Sequence, residues 1–423
     1  MHEHVHIYSN WMIAIFALGY LLIIFEHIVH INKATSALIM AVGLWSLQFA
    51  DGSFANINMS SFSEHLADVS QVILFLLSAV TIVEIIHAHG GFSMVANAIR
   101  VSSKKLCLLV VGALAFILSA VLDNLTTTIV FVVMLKKLLE HQEDRLIFGS
   151  VVVIAANAGG VWSPIGDVTT TMLWIGGQVS AIPLAQHLFL PSLACFLASS
   201  LWLSFSVKGQ IQKKIVSRKD LIEPRGEIVF VLGILSLVFV PVFKLWTGLP
   251  PFMGILFSLS FMWLVTDMLH RKYDGRDHLK VPAILPRVDF SSVFFFLGIL
   301  LSVNALETAG ILHSFALWLD GAISSKAVVA IWIGLASAVI DNVPLVAGIM
   351  GMYDVTLYAK DHPFWLLMAY CAGTGGSILI IGSAAGVAFM GLEKVTFFWY
   401  LRKAGIAAAV GYFIGIAVYF FQA

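Results

Sequence analysis

Apolar residues lie in long runs along this chain, and the charged residues are concentrated in the short segments between those runs. The runs recur from residues 11–31 to residues 404–420, and most have about the 20 residues that a helix needs to cross a bilayer. Open strands are excluded in such runs, because lipid cannot satisfy the hydrogen-bonding groups at a sheet edge. The pattern therefore predicts an all-α polytopic membrane protein.

The sequence repeats one motif in its two halves. A Ser-Ala-Val-hydrophobic-Asp-Asn pattern occupies residues 119–124 and again residues 337–342, at an offset of 218 residues. The Gly-Gly pair at residues 159–160 matches the pair at residues 375–376, at an offset of 216 residues. Two nearly equal offsets over separate motifs predict an internal repeat.

Each repeat contains a stretch in which the chain is expected to reverse inside the membrane. The first is apolar but has basic residues at both ends, so we predict a re-entrant hairpin near 106–140 that turns at Asp123. The equivalent hairpin is predicted near 327–357, with its turn at Asp341.

A broken helix is predicted after each hairpin, near 146–176 and near 364–391, because glycines interrupt both stretches and Pro164 interrupts the first. Basic residues cluster at 208–225 and 271–287, which the positive-inside rule assigns to the cytoplasm. Counting crossings from these loops puts the two hairpin mouths on opposite sides of the membrane. The repeats are therefore predicted to have inverted topology.

The predicted architecture is two inverted-topology repeats with about ten transmembrane helices, two re-entrant helical hairpins and two broken helices. Residues 1–215 form the N-terminal repeat, residues 216–227 form a cytoplasmic linker, and residues 228–423 form the C-terminal repeat.

Composition agrees with a membrane protein, since 60% of the 423 residues are hydrophobic and 11% are charged. Lys+Arg and Asp+Glu number 24 each, so no net charge favours a nucleic-acid partner, and membrane lipid is the expected surrounding. The motifs GxSxG and GxxxxGK[ST] do not occur in the sequence, and the one HExxH match, at residues 2–6, precedes the first apolar run, where an N-terminal tail offers no folded frame to hold a metal. Neither an enzyme nor a nucleotide-binding protein is therefore predicted, and no cofactor is expected.

Three carboxylates, those of Asp123, Asp167 and Asp341, fall within apolar segments. A charged aspartate near the bilayer centre costs about 2.5–3.5 kcal/mol, so these residues indicate a role in handling a cation or a proton. One carboxylate can hold a proton or a sodium ion but not both, and competition of this kind couples the two ions. The alternative is that each aspartate only caps a helix.

Polar side chains near these acids complete the predicted cation and proton site. In the hairpins they are Ser119, Asn124, Thr126, Thr127, Ser337 and Asn342. In the broken helices they are Asn157, Ser163, Thr169, Thr170, Thr374, Ser377 and Ser383. Glu84 and His87 are candidate pH sensors, because a histidine beside a carboxylate titrates near neutral pH; an ordinary interfacial position is the alternative.

The segments 157–174 and 119–128 resemble the corresponding motifs of the NhaD family of bacterial sodium/proton antiporters, and the resemblance extends over nearly the whole chain. It implies inverted repeats, a homodimer in the bacterial inner membrane, and sodium or lithium efflux driven by proton entry. The metal at Asp123, Asp167 and Asp341 is then the transported Na⁺ or Li⁺.

The sequence departs from the carboxylate carriers at the hairpin tips, and its second half departs from its first half in the broken helix. Carriers of carboxylates in the same superfamily usually have Ser-Asn-Thr at the hairpin tips, where this chain has Asp123 and Asp341. The second broken helix has Ser383 where the first has Asp167, so the two half-sites are not expected to be equivalent.

The leading hypothesis is a secondary active transporter that exchanges cytoplasmic Na⁺ (or Li⁺) for external H⁺. The alternative is a cation-coupled carrier of a small anion or metalloid, such as a dicarboxylate or arsenite. A fixed negative charge at each hairpin tip disfavours an anionic substrate. Loss of a pH gradient on addition of sodium alone distinguishes the two hypotheses.

Overall fold

A computed structural model describes residues 8–50, 55–92, 101–210, 223, 225–271, 276–323, 325–353 and 355–422. These residues are predominantly helical and contain no strand apart from a single bridge between Ser103 and Gln210. Most of the predicted cytoplasmic linker, residues 216–227, lies outside the described residues.

The first half of the chain forms nine helices within its described residues. They are α1 (Ser9–Ile24), α2 (Glu26–Val29), α3 (Lys33–Ala50), α4 (Ala55–Ala88), α5 (Lys104–Leu122), α6 (Asn124–Leu138), α7 (Gln142–Gly160), α8 (Val168–Ile175) and α9 (Ala181–Ser204). One residue, Asp123, separates α5 from α6, and residues 161–167 separate α7 from α8.

The second half continues with eleven α-helices in the part that the structure describes. They are α10 (Gly226–Thr247), α11 (Pro251–His270), α12 (Val281–Ile284), α13 (Phe290–Thr308), α14 (Ile311–Ala322), α15 (Lys326–Ala336), α16 (Asn342–Met352), α17 (Pro363–Gly375), α18 (Ala384–Glu393), α19 (Phe397–Tyr400) and α20 (Ile406–Gln422). A π-helical turn, Leu401–Gly405, joins α19 to α20.

The described residues include seven helices that are long and apolar enough to cross a membrane, or eight if the bent pair α14 and α15 forms one span. Several of these helices present large apolar side chains outward, as at Leu245, Trp246 and Met268. Apolar outer surfaces of this extent suit lipid rather than water. The chain is a multi-pass membrane protein, whereas the predicted ten crossings and the re-entrant character of the two hairpins stay predictions.

Corresponding helices of the two halves make the same contacts. The Ser119 hydroxyl of α5 donates to the Ala156 carbonyl of α7 at 2.6 Å, and the Ser337 hydroxyl, directly after α15, donates to the Ala372 carbonyl of α17 at 2.8 Å. These residues correspond at the offsets of 218 and 216 found in the sequence. The hydroxyls therefore fasten each broken helix to the hairpin that precedes it.

A close approach of backbones is duplicated as well. A Cβ atom at Gly166 would lie 2.7 Å from the Ser119 carbonyl oxygen, and one at Gly382 would lie 2.5 Å from the Ser337 carbonyl oxygen. Neither position has room for a side chain, so each irregular segment can lie directly against the end of the preceding hairpin helix.

The two halves are also held to each other. Helix α6 packs against α18, and α16 packs against α8, so that each hairpin contacts the broken helix of the opposite half. Arg145 at the start of α7 lies 3.2 Å from the buried carboxylate of Glu393 at the end of α18. The carboxylate of Asp361, just before α17, accepts from the Ser180 backbone N–H and hydroxyl, just before α9. These contacts fix the relative positions of the four elements that carry the candidate site.

Candidate functional site

Asp167 lies where the two halves meet. Its side chain is 2% exposed, and it caps α8 by accepting from the Thr169 backbone N–H at 3.1 Å. Its second oxygen accepts from the amide of Asn124 at 3.2 Å and from the amide of Asn342 at 3.3 Å. Asn124 and Asn342 are equivalent residues of the two repeats, so both hairpin tips converge on one carboxylate.

Asn157 extends this network into the second broken helix. Its oxygen accepts from the Asn124 amide at 3.0 Å, and its own amide donates to the hydroxyls of Ser377 and Ser383, each at 2.9 Å. All of these side chains are buried. One hydrogen-bonded network, the central network, thus joins Asn124, Asn157, Asp167, Asn342, Ser377 and Ser383.

Four helices begin at this site, because the chain breaks where an Asp or a Ser can cap the next helix. Asp123, Asp167 and Asp341 cap α6, α8 and α16, and Ser383 caps α18. A helix N-terminus carries a positive partial charge, which stabilises an ionised carboxylate placed on it. The capping interpretation of the aspartates is therefore correct as geometry, and it leaves carboxylate oxygens available for a cation.

The two hairpin-tip aspartates have different partners. Asp123 accepts from the Thr126 backbone N–H at 2.7 Å and from the Thr126 hydroxyl at 2.8 Å. Asp341 accepts from the Val343 backbone N–H at 3.3 Å, and its other oxygen lies 3.7 Å from the ammonium group of Lys33. Only the second tip is thus joined to a basic side chain among the described residues.

The remaining predicted residues occupy several positions. Ser119 and Ser337 donate to carbonyl groups and not to the neighbouring aspartates. Thr170 donates to the Asp167 carbonyl, and Thr374 donates to the Tyr370 carbonyl. The Ser163 hydroxyl accepts from the Ile165 N–H. The buried Thr127 hydroxyl has no partner within the described ranges, so it is a free oxygen beside the first tip. Glu84 and His87 pair with each other at 3.5 Å on α4.

Two ion pairs of the structure were not predicted from the sequence. Lys33 was not connected with Asp341, although a single lysine directly before a long apolar run is a signal that it could reach into the membrane. The pairing of Arg145 with Glu393 joins residues 248 positions apart, and no local pattern connects them.

A buried carboxylate, amide groups and hydroxyl groups form the kind of ligand set that a hard monovalent cation prefers. Together with the apolar helices, this site defines a multi-pass membrane protein with a buried polar centre at the junction of four helix N-termini.

Comparison with known proteins extends this description. The sequence model of the citrate transporter family, CitMHS, matches residues 20–373. Sodium/proton antiporter 1 of Arabidopsis thaliana is 51% identical over 411 residues, which cover 96% of this chain and 71% of the relative. Sodium/proton antiporter 2 of the same plant is 47% identical over 413 residues, which cover 96% of this chain and 98% of the relative.

A bacterial relative is also named as a sodium/proton antiporter. The Na(+)/H(+) antiporter NhaD of Alkalimonas amylolytica is 30% identical over 440 aligned positions, covering 96% of this chain and 89% of the relative. The chain therefore belongs to the NhaD-type sodium/proton antiporters, within the citrate transporter family.

Proposed function

We propose that this protein exchanges cytoplasmic Na⁺ or Li⁺ for external H⁺, and that the two ions compete for the carboxylate of Asp167 in the central network. Asp123 and Asp341 contribute further oxygens and charge at the two hairpin tips. The names of the relatives support sodium/proton exchange; the direction, the competition and the residues are the proposal.

The observation that carries the proposal is the environment of Asp167. Its carboxylate is buried and receives only neutral N–H donors, from Thr169, Asn124 and Asn342, with no basic side chain paired to it among the described residues. A buried ionised carboxylate without a counter-ion is costly, so it gains by binding a cation or a proton. Either ion removes the same unbalanced charge, which makes binding mutually exclusive.

The alternative function is cation-coupled transport of a small anion, and the description of the matched family as citrate transporters favours it. Four helix N-termini at one site would suit an anionic substrate. In this chain, however, the protein's own carboxylates cap three of the four. Since like charges repel strongly in a low dielectric, sodium is the better substrate for this site.

The duplicated Ser119 and Ser337 bonds support an internal repeat, and the inverted orientation of the two halves, with hairpins and broken helices that move together, belongs to the proposal. A homodimer in a bacterial inner membrane remains part of the proposal, and the relatives named above come from a plant and a bacterium. Cysteines introduced singly next to Lys326 and next to Lys136 test the topology, because inverted repeats require labelling from opposite sides.

The function is tested in everted membrane vesicles that hold an acid interior, with a fluorescent dye reporting the pH gradient. Addition of sodium or lithium alone should dissipate the gradient, and addition of citrate without sodium should not. Asp167→Asn should abolish the sodium response, whereas Asp277→Asn, a change in an exposed loop, should leave it intact. Full sodium response from Asp167→Asn would refute the assigned site, and a response that requires citrate would favour the anion carrier.

A further inference from the structure

We propose that the ammonium group of Lys33 is a tethered cation that occupies Asp341 when no transported ion is bound there, and that sodium must displace it. Lys33 is then a specificity-determining residue that sets how tightly sodium binds at the second hairpin tip. This inference rests on the proposed function, because it assumes that Asp341 contributes to cation binding.

The geometry places Lys33 for this role. Its Nζ atom lies 3.7 Å from Oδ2 of Asp341 and 4.5 Å from the centre of the Phe295 ring. The two charged side chains are 26% and 19% exposed, so both are largely shielded from bulk water. The ammonium group is therefore held between a carboxylate and an aromatic face, at a distance that is long for an optimal ion pair.

The position of Lys33 in its own helix is unfavourable without such a partner. It is the first residue of α3, and α3 has no acidic residue in its first turn. A cation at a helix N-terminus opposes the helix dipole. The Lys33 backbone N–H donates to the Glu26 carboxylate at 3.1 Å, which anchors the helix start but does not pair the ammonium group in the structure. Asp341 supplies the missing negative charge.

The two hairpin tips differ at one residue that follows the aspartate, and this residue decides how many local donors the aspartate has. At the first tip, Thr126 gives Asp123 both a backbone N–H and a hydroxyl donor. The equivalent residue at the second tip is Pro344, which has neither group. Asp341 thus keeps one oxygen without a local donor, and that oxygen faces Lys33.

The charged and titratable groups around Asp341 come from several elements. Lys33 approaches from α3, Tyr20 of α1 lies within electrostatic range, and Asp167 of the central network interacts with it as a like charge. The ammonium group thus balances the charge of Asp341 when no transported ion is bound, and removal of Lys33 lets sodium bind there without displacing a competitor.

The test compares Lys33→Gln with the parent protein in everted vesicles over a range of pH. Without its competitor, sodium should show an apparent KM that is lower by roughly fivefold at alkaline pH, about the worth of one partly exposed ion pair. Lys33→Arg keeps the positive charge and should keep the parent KM. Lys280→Gln is the matched control, since it removes an exposed Lys–Asp pair and should leave the KM unchanged.

Two further measurements keep the proposal testable if Lys33→Gln transports poorly. Sodium-dependent thermal protection of the detergent-purified protein reports binding without turnover, and Lys33→Gln should be half-protected at a lower sodium concentration. Pro344→Thr gives Asp341 the donors that Asp123 has, so it should weaken the hold of Lys33 and change KM in the same direction by a smaller factor.

The outcomes separate this inference from the proposed function. If Asp167→Asn is inactive while Lys33→Gln keeps the parent KM and thermal protection, Lys33 forms only a structural ion pair and the inference is wrong. If Asp167→Asn transports normally, the proposed site itself fails, whatever Lys33→Gln does.

Discussion

The two hairpin tips share the sequence Asp-Asn and yet balance their charge in different ways. At the first tip, Asp123 is bound by two donors of Thr126, three residues ahead in the same helix. At the second tip, Asp341 is paired with Lys33, which is more than 300 positions away in the chain. Both tips therefore keep the capping Asp-Asn motif, and residues outside that motif decide the electrostatics.

The two tips also differ in backbone strain, which is found at the first tip and not at the second. Asp123 has a φ of +87° and a ψ of 159°, a region that costs about 1–3 kcal/mol for a residue with a side chain. Asp341 has an unstrained φ of −49°. The two bonds from Thr126 help to maintain the strained turn at the first tip, so its carboxylate is held more rigidly than that of the second.

The broken helices differ in a related way. Asp167 caps α8, whereas the equivalent Ser383 caps α18, and the equivalent of Asn157 is Gly373. A Cβ atom at Gly373 would lie 3.3 Å from an oxygen of Asp167 and would overlap Val161. The first half thus supplies the charge, and the second half supplies the space and the hydroxyl groups around it.

The largest expected effect is loss of transport when the residues at positions 167 and 383 are swapped. The double variant Asp167→Ser with Ser383→Asp keeps the number of carboxylates and moves one from the start of α8 to the start of α18. Sodium-dependent loss of the vesicle pH gradient should remain at background, because the amides of Asn124 and Asn342 both donate to position 167 and neither donates to position 383. Recovery of half or more of the parent rate would show that the half-sites are interchangeable.

Substantial parts of the fold and site could be predicted from the sequence, because they depend on local rules. Apolar runs, basic loops and the offset motifs indicated a polytopic helical protein, and the intramembrane cost of Asp167 indicated that this residue needs a partner. The convergence of Asn124 and Asn342 on Asp167 could not be predicted, because the offset shows equivalence of residues and not their distance.

Side-chain partners were the hardest part to predict. Ser119 and Ser337 were predicted to complete the cation and proton site beside their aspartates, and their hydroxyls donate across to another helix. A serine inside an apolar helix can bond to any nearby carbonyl, so helical spacing does not decide its partner. The pairing of Lys33 with Asp341 likewise depends on the packing of α3 beside the second hairpin.

The second expected effect concerns Asp341. Asp341→Asn leaves the Lys33 ammonium group beside the site without its carboxylate, so sodium is repelled and its apparent KM should rise by roughly thirtyfold, or about 2 kcal/mol. The double variant with Lys33→Gln should recover much of that loss. A double variant no better than Asp341→Asn alone, measured by sodium titration in vesicles, would contradict this coupling and leave Asp341 acting only as a ligand.

A smaller effect is expected at the contacts that join the halves. Glu393→Gln removes the charge that Arg145 and Lys136 share, while Arg145 keeps bonds to the Leu139 and Glu140 carbonyls, so the loss should be about 2 kcal/mol of stability. Asp361→Asn should cost about 1 kcal/mol, because an amide oxygen still accepts from Ser180. Thermal unfolding of the purified variants measures both, and an equal or reversed order would show that the ion pair is not the stronger contact.

The smallest expected effect concerns the Thr126 hydroxyl, a donor that the first tip has and the second lacks. Thr126→Val removes the hydroxyl bond to Asp123 and keeps the backbone bond, so the ionised carboxylate loses one donor, worth about 1 kcal/mol. A proton then competes better with sodium, and the apparent KM for sodium at neutral pH should rise by roughly fivefold, with less change at alkaline pH. The same substitution at Thr247, an exposed threonine at the end of α10, serves as the control. An unchanged KM in Thr126→Val would mean that Asp123 does not take part in the competition, and the first tip would then contribute only its Asn124 amide to the site.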